Sequence, residues 1–283
     1  MWLDRVRGGI AADGKPAAWL QTGVGQSILA GTPFAPMMVK NGIDAVSVEG
    51  TDDMPYALPA LALDLHTPEI PLPVLWWRSV GHSHSAFAKE SFIDELARLA
   101  RRDPVAYRLA LMDKAPREQA VLREAARMAG WGRKLPKGHG LGAAVHASFG
   151  SHVAQVVEVA VKGKELKVLH VWCAVDCGVV VNPDQVAAQM EGGIMFGLSA
   201  ALFGAITFKD GEVEQKNFDG YQIVRMFQAP KVDVSIVASD EAPGGTGEPA
   251  VPLVAPALAN AVHAASGKRR RELPLIRHGY QMV

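Results

Sequence analysis

The chain has 283 residues, 49% of them hydrophobic and 20% charged, which is enough for one large domain or two modest ones around a buried core. Its 29 basic and 29 acidic side chains cancel, so no net field draws it to nucleic acid or an anionic membrane. No apolar run is long enough to span a bilayer, Met1-Trp2-Leu3-Asp4-Arg5 lacks the order of a signal peptide, and two cysteines cannot supply the thiolates of an iron–sulfur cluster.

Residues 1–55 are rich in Gly and Pro and read as strands and loops, and Tyr56 to Leu65 has strand character. Pro68, Pro71 and Pro73 then make a stiff extended connector. A helix is predicted after Gly81, capped by Ser83 or Ser85, with Ala88, Phe92, Leu96 and Leu99 on its buried face. Asp103-Pro104 starts a second helix with the stripe Val105, Leu109 and Met112. A third covers about Arg117 to Ala129 and stops at Gly130. His152 to Val161 reads as a strand, and Lys162-Gly163-Lys164-Glu165 as its turn. Leu166, Val168, His170, Trp172 and Ala174 alternate along the returning strand. Cys173 and Cys177 fall on one face of that strand, too far apart to bridge, and read as two buried thiols. Asn182-Pro183 opens a helix toward Gly204, Asp210-Gly211 turns a short hairpin, Val232 to Val237 is a strand, and Val254 to Ala265 is a helix closed by Gly267. Hairpins and separate helices together indicate an α+β fold.

Four segments carry chemical signal. In Pro243-Gly244-Gly245-Thr246-Gly247-Glu248-Pro249 the glycines permit a backbone path closed to other residues, and Glu248 sits at the loop's exit. A carboxylate in a tight, partly dry loop can serve as a general base, although the loop by itself is better read as a Gly-rich turn with a solvated Glu. Gly192, Gly193 and Gly197 each weaken the helix they occupy by roughly 1 kcal/mol, so another backbone or a ligand approaches there, and Gln189 offers a donor and an acceptor beside them. Asp176-Cys177-Gly178 to Asn182-Pro183 is a strand-to-helix corner, with Asn182 a helix cap and the helix start a place for an anion. Arg78 precedes a helix start and is placed to grip a phosphate or a pterin edge. His82 and His84, without other clustered ligands, read as surface or packing residues rather than a metal pair.

In this order the motifs resemble the C-terminal, molybdenum-cofactor-binding part of xanthine-oxidase-family large subunits. The branch is that of isoquinoline 1-oxidoreductase β subunits and related bacterial aldehyde dehydrogenases. The resemblance is carried by Trp77-Arg78-Ser79-Val80-Gly81 through Asp94-Glu95-Leu96 and Asp103-Pro104, by Ala174 to Gly178, by Gln189-Met190-Glu191-Gly192-Gly193 and by Gly245-Thr246-Gly247-Glu248-Pro249, over roughly residues 20 to 275. It implies that residues 1–75 are a partial N-terminal segment with its connector and that 76–283 form the molybdopterin-binding region. It implies Glu248 as the catalytic base and Gln189, Arg78, Gly192, Gly193, Gly245 and Gly247 as cofactor-binding residues, with no protein ligand to the metal. Val80 takes a substrate-pocket position that is aromatic in xanthine-oxidising relatives. Val cannot stack, so the implied substrate is an aldehyde or N-heterocycle, oxidised with water as oxygen source. The implied cofactor is molybdenum–molybdopterin in its cytosine dinucleotide form, with 2Fe–2S clusters only on a partner chain. The earlier Gly-Gly-x-Phe-Gly and Met-Gly-Gln-Gly segments of such subunits have no counterpart here. The implied partners are therefore the missing large-subunit portion and an iron–sulfur subunit, with neither nucleic acid nor a membrane segment involved. The compartment is cytoplasmic by absence of a signal, or periplasmic through co-export with a partner. The alternative is a non-catalytic fragment or remnant that keeps the core as a structural protein. The basic run Lys268 to Arg271 reads as a solvated helix end, or as a grip on a cofactor phosphate.

Overall fold

The computed structural model describes residues 1–283. The antiparallel strands β1 (Trp2–Ile10) and β2 (Pro16–Gly25) lead to a one-turn helix, α1 (Ala35–Met38). A minimal ladder of β3 (Val39–Lys40) and β4 (Ile43–Asp44) follows, and then β5 (Leu61–His66), which pairs parallel with β2. Helices α2 (His82–Leu99), α3 (Pro104–Leu111) and α4 (Pro116–Met128) precede the long strands β6 (His139–Ser148), β7 (Ser151–Lys162) and β8 (Glu165–Asp176). Helix α5 (Pro183–Leu202), the hairpin of β9 (Phe208–Lys209) and β10 (Glu212–Val213), β11 (Lys231–Ile236), α6 (Val251–Ser266) and β12 (Gln281–Met282) complete the chain. The fold is α+β.

The main sheet runs β11-β8-β7-β6, antiparallel except where β11 and β12 lie parallel to β8. Alternation along β7 divides two cores: Val153, Val157 and Val159 face α5 and α6, while Ala154 and Val156 face the core of α2, α3 and α4. The N-terminal sheet joins the second core through Trp19, whose ring meets Phe92 of α2 edge-on at 4.9 Å. No helix is long and apolar enough to cross a membrane.

Several expectations change at this level. Strand β8 does not keep one alternation. Its Leu166 and Val168 face the first core, whereas Trp172 and Ala174 face the second. Val159 pairs with Val168 and Glu158 with His170, which leaves Leu169 as an extra residue and reverses the faces beyond it. Strand β6, absent from the sequence reading, carries Gly140, Gly142 and several alanines because α6 lies directly on it. A Cβ at Gly142 would sit 2.2 Å from Ala257 O. The buried side of α2 is Ala86, Lys89, Glu90, Ile93 and Asp94 with Leu96 and Ala97, while Leu99 is exposed. Its polar members are paired: Arg108 Nε donates to Glu90 Oε2 at 2.8 Å and Tyr56 Oη to Glu90 Oε1 at 2.7 Å, all three buried. Neither Ser83 nor Ser85 caps α2, which starts on Gly81 with no side-chain cap. The cap at Asp103 is present, its Oδ1 accepting from the amides of Val105 and Ala106. Residues 56–60 form no strand, and β5 begins at Leu61. Cys173 and Cys177 are free and buried, and burial pushes the Cys173 thiol up to about 12.

Candidate functional site

Three segments distant in sequence meet at one edge of the molecule: the turn before α2, the second turn of α5 and the glycine loop before α6. Arg78 makes the junction. Its Nε donates to Gly247 O at 2.8 Å and its Nη2 to Gln189 Oε1 at 3.1 Å. Its guanidinium also lies 5.7 Å from the ring centre of Phe196, two turns further along α5. Ser79 donates its amide to Glu248 Oε1 at 2.9 Å and its hydroxyl to Glu248 O at 2.6 Å. Ser79 is buried, Glu248 half-buried. No side-chain or backbone donor of the chain reaches Glu248 Oε2.

The turn that presents Ser79 is unusual in its backbone. Ser79 (φ 80°) and Val80 (φ 48°) are both left-handed, a region that a β-branched residue rarely enters. Gly81 must follow, because a Cβ there would lie 1.7 Å from Val46 O. Glu49 Oε1 accepts the Gly81 amide at 2.8 Å. Burial raises Glu49 to about 7, against the amides of Gly81 and His82 that lower it.

The glycine loop is shaped by the tip of the β6–β7 hairpin. Gly245 N donates to Phe149 O at 2.7 Å, and Ser151 Oγ donates to Gly245 O at 2.7 Å. A Cβ at Gly244 would stand 2.4 Å from Gly150 O, so that glycine permits the contact. The corner after β8 holds the other side, where Gly244 N donates to Cys177 O at 2.8 Å and Val179 N to Glu241 O at 2.9 Å. Arg117 fixes this corner through two 2.7 Å bonds to the Asp176 carboxylate. Although burial opposes it, Arg117 and the Gly178 amide hold Asp176 at about 2. Asn182 caps α5, its Oδ1 accepting from Gln185 N.

The glycines of α5 divide by role. Gly193 and Gly197 face α6, where added Cβ atoms would meet Ala250 Cβ at 2.9 Å and Val254 Cγ2 at 2.8 Å. Gly192 faces open space. Helix packing thus accounts for two of the three and leaves Gly192, beside Gln189, on the exposed side. The amides of Thr246, Gly247 and Glu248 make no hydrogen bond within the chain, and neither does Gln189 Nε2. The result is a half-open cradle of unpaired donors around a carboxylate with one free oxygen. That donor set suits an anionic, hydrogen-bond-accepting group.

The structure therefore brings together Arg78, Gln189, Gly247 and Glu248, places Gly245 and Gly193 in their supports, and sets Val80 beside Ser79. Sequence reasoning did not single out Ser79, Glu49 or Phe149. The one local signal that could have found the hairpin tip is Gly150, a turn-forming residue in front of a Val-rich strand. His82 and His84 do not share a ligand: His84 stacks on Trp2 with ring centres 3.7 Å apart, and His82 turns inward to His146.

Comparison with known proteins identifies the family. Residues 84–230, just over half the chain, match the molybdopterin cofactor-binding domain. The chain is 39% identical over 225 residues to the isoquinoline 1-oxidoreductase β subunit of Brevundimonas diminuta, an alignment covering 78% of this chain and 29% of that protein. It is 33% identical over 226 residues to a membrane-bound, pyrroloquinoline-quinone-named aldehyde dehydrogenase of Gluconacetobacter polyoxogenes, covering 71% of this chain and 29% of that one. It thus spans less than a third of the length of these curated relatives. Among solved structures, quinoline 2-oxidoreductase from Pseudomonas putida 86 superposes with a TM-score of 0.76 at 14% identity, over 96% of this chain and 61% of that one. Sequence and fold together place this chain in the molybdopterin cofactor-binding family of xanthine-oxidase-type molybdenum enzymes.

Proposed function

We propose that the chain is the C-terminal cofactor-binding part of a molybdenum hydroxylase that oxidises an aldehyde or an electron-poor N-heterocycle with water as oxygen source, and that it works only with partner chains. One observation carries this reading: Arg78, Ser79, Gln189, Gly247 and Glu248 form one cluster at an open edge, through hydrogen bonds that span up to 169 positions. When bound, the molybdenum–pterin group supplies the two-electron oxidation. Gln189 Nε2, the amides of Thr246 and Gly247 and the open face at Gly192 hold it, with Arg78 locking Gln189 and Gly247 in register. Glu248 has Oε1 fixed by Ser79 and Oε2 free, so the carboxylate is oriented to take a proton as general base. Val80 lines the substrate side without an aromatic face, which suits a substrate held by shape rather than stacking. The relatives named for isoquinoline and aldehyde oxidation support that substrate range. The cytosine dinucleotide form of the pterin and electron transfer to 2Fe–2S clusters on a partner belong to the same reading.

The partner requirement is supported by surface chemistry. Phe218, Met226 and Val181 are each more than 90% exposed, apolar side chains that a partner chain would cover. The test is Glu248→Gln in the assembled enzyme. Turnover is expected to fall by roughly 10²–10⁴-fold, as for loss of a general base, while molybdenum per chain stays constant. Loss of the metal, or intact turnover, would remove Glu248 from that role.

A further inference from the structure

Glu248 is aimed by Ser79, and Ser79 lies in a two-residue left-handed turn that its own conformational preferences oppose. Something must hold that turn. On one side Gly81 is wedged against Val46 O. On the other, Glu49 accepts the Gly81 amide at 2.8 Å, and its backbone carbonyl accepts Ser85 Oγ at 2.7 Å, which ties it to the first turn of α2.

Behind Glu49 runs a buried polar array. Lys89 Nζ donates to Gly50 O at 2.9 Å and meets His146 Nδ1 at 2.8 Å. His146 Nε2 lies 2.9 Å from His82 Nδ1, and His82 Nε2 lies 3.7 Å from Glu49 Oε2. The direction of this array follows from its first member. An ammonium has no acceptor, so His146 accepts at Nδ1 and carries its proton on Nε2. His82 must then accept at Nδ1 and carry its proton on Nε2, which faces Glu49. Burial keeps both rings neutral, with His82 lowered to about 4 and His146 well below its usual value. The array is thus polarised toward the Glu49 carboxylate. Gly50, at φ 79°, lets the backbone pass this close, since a Cβ there would stand 2.6 Å from His146 Cε1.

The geometry points to Glu49 as a positioning residue for Glu248. The buried Lys89–His146–His82 array orients Glu49, Glu49 holds the 79–81 turn, and the turn's Ser79 amide fixes the Glu248 carboxylate. The assignment rests on the proposed role of Glu248 for its catalytic meaning, but the coupling between the two carboxylates stands apart from it. It adds a task for the N-terminal segment, which the motifs did not connect with the site.

The experiment reads the Ser79 amide directly, by hydrogen exchange in the full chain. Glu248→Ala is expected to speed its exchange about tenfold or more, the loss of one charge-assisted bond. Glu49→Ala is expected to speed it similarly, while the amides of α3 and α4 keep their protection. Glu49→Gln retains an acceptor for Gly81 and is expected to restore slow exchange. If Glu49→Ala exposes every amide, Glu49→Asp, one methylene short of Gly81, gives the same reading without removing the charge. In the assembled enzyme Glu49→Ala is expected to lower kcat with KM unchanged. Unaltered Ser79 exchange in Glu49→Ala or Glu49→Asp overturns the proposal, even if Glu248→Gln is inactive. Conversely, an active Glu248→Gln overturns the base assignment while a Ser79 response to Glu49 leaves the coupling standing.

Discussion

Arg78 shows why residue type matters at this site. Its planar fork reaches a backbone carbonyl and a side-chain carbonyl on two different segments, and a lysine ammonium cannot span both in fixed geometry. Arg78→Lys keeps the charge and loses one hydrogen bond, worth about 1 kcal/mol. Cofactor retention is expected to drop roughly fivefold to tenfold, read as molybdenum per chain after dilution of the assembled enzyme. Unchanged retention would make Arg78 a packing residue on Phe196. Glu90 is the contrasting case of a charge with a structural task. It is fully buried, engaged by Arg108, Tyr56 and the Val145 amide. Removing it in Glu90→Ala strands the Arg108 charge, and a loss of about 3–5 kcal/mol is expected from denaturant unfolding.

At the scale of elements, α6 on β6 sets where the glycine loop ends. Gly140 and Gly142 allow the helix backbone to lie on the strand, with prospective Cβ contacts of 2.4 Å to Ala261 O and 2.2 Å to Ala257 O. In Gly142→Ala the helix must move, at a cost of about 1–3 kcal/mol for an overpacked interface. Because α6 begins at Val251, three residues beyond Glu248, the shift is expected to reach the site. Slower turnover accompanying the lower unfolding midpoint is the expected pair of results, and a stability loss with native turnover would separate the helix from the site. The basic run after α6 is divided. Arg269 is largely buried and pairs with Asp94 at 2.5 Å, clasping the end of α6 to α2, whereas Lys268 and Arg271 stay exposed as a solvated end, Arg271 pairing with Glu95 at 2.7 Å from the surface.

Across the whole molecule, burial of ionisable groups makes stability depend on pH. Burial lowers His82 to about 4 and His84 to about 3, and holds His146 well below 6.5, so all three fold neutral. The unfolded chain protonates each near 6.5. Their contribution is therefore complete above that pH and is lost as pH falls toward 4. Asp4, raised by burial to about 6, and Glu49, raised to about 7, act in the opposite sense, binding protons in the fold that the unfolded chain releases above 3.8 and 4.5. Between about pH 4.5 and 6 three histidines outweigh two carboxylates, so stability rises with pH there. The urea midpoint is expected to be lower at pH 5 than at pH 6.5. Equal midpoints would mean that the histidines titrate freely in the folded chain.

Local chemistry alone determined much of this protein. The Asp103-Pro104 and Asn182-Pro183 helix starts, the stops at Gly130 and Gly267, and the turns at Gly163 and Asp210-Gly211 depend on neighbours a few residues away, and the sequence displays those neighbours. The ordered motifs likewise identified the family, because the backbone paths of their glycines are written in residue type. What tertiary structure decided lies in contacts across the chain. The bulge at Leu169 that reverses the faces of β8 appears only against the register of β7. Strand β6 escaped notice because its glycines and alanines answer to α6 rather than to any local pattern. Arg78, Gln189 and Glu248 could be named from their motifs, but Ser79 and Glu49 could not. A serine at φ 80° and a glutamate 32 residues before the amide it accepts acquire their roles only when the 79–81 turn, α2 and the N-terminal segment are packed together. Hydrogen bonds spanning such separations leave no periodicity, so only the folded chain reveals which Glu248 oxygen is held and which is left without a donor.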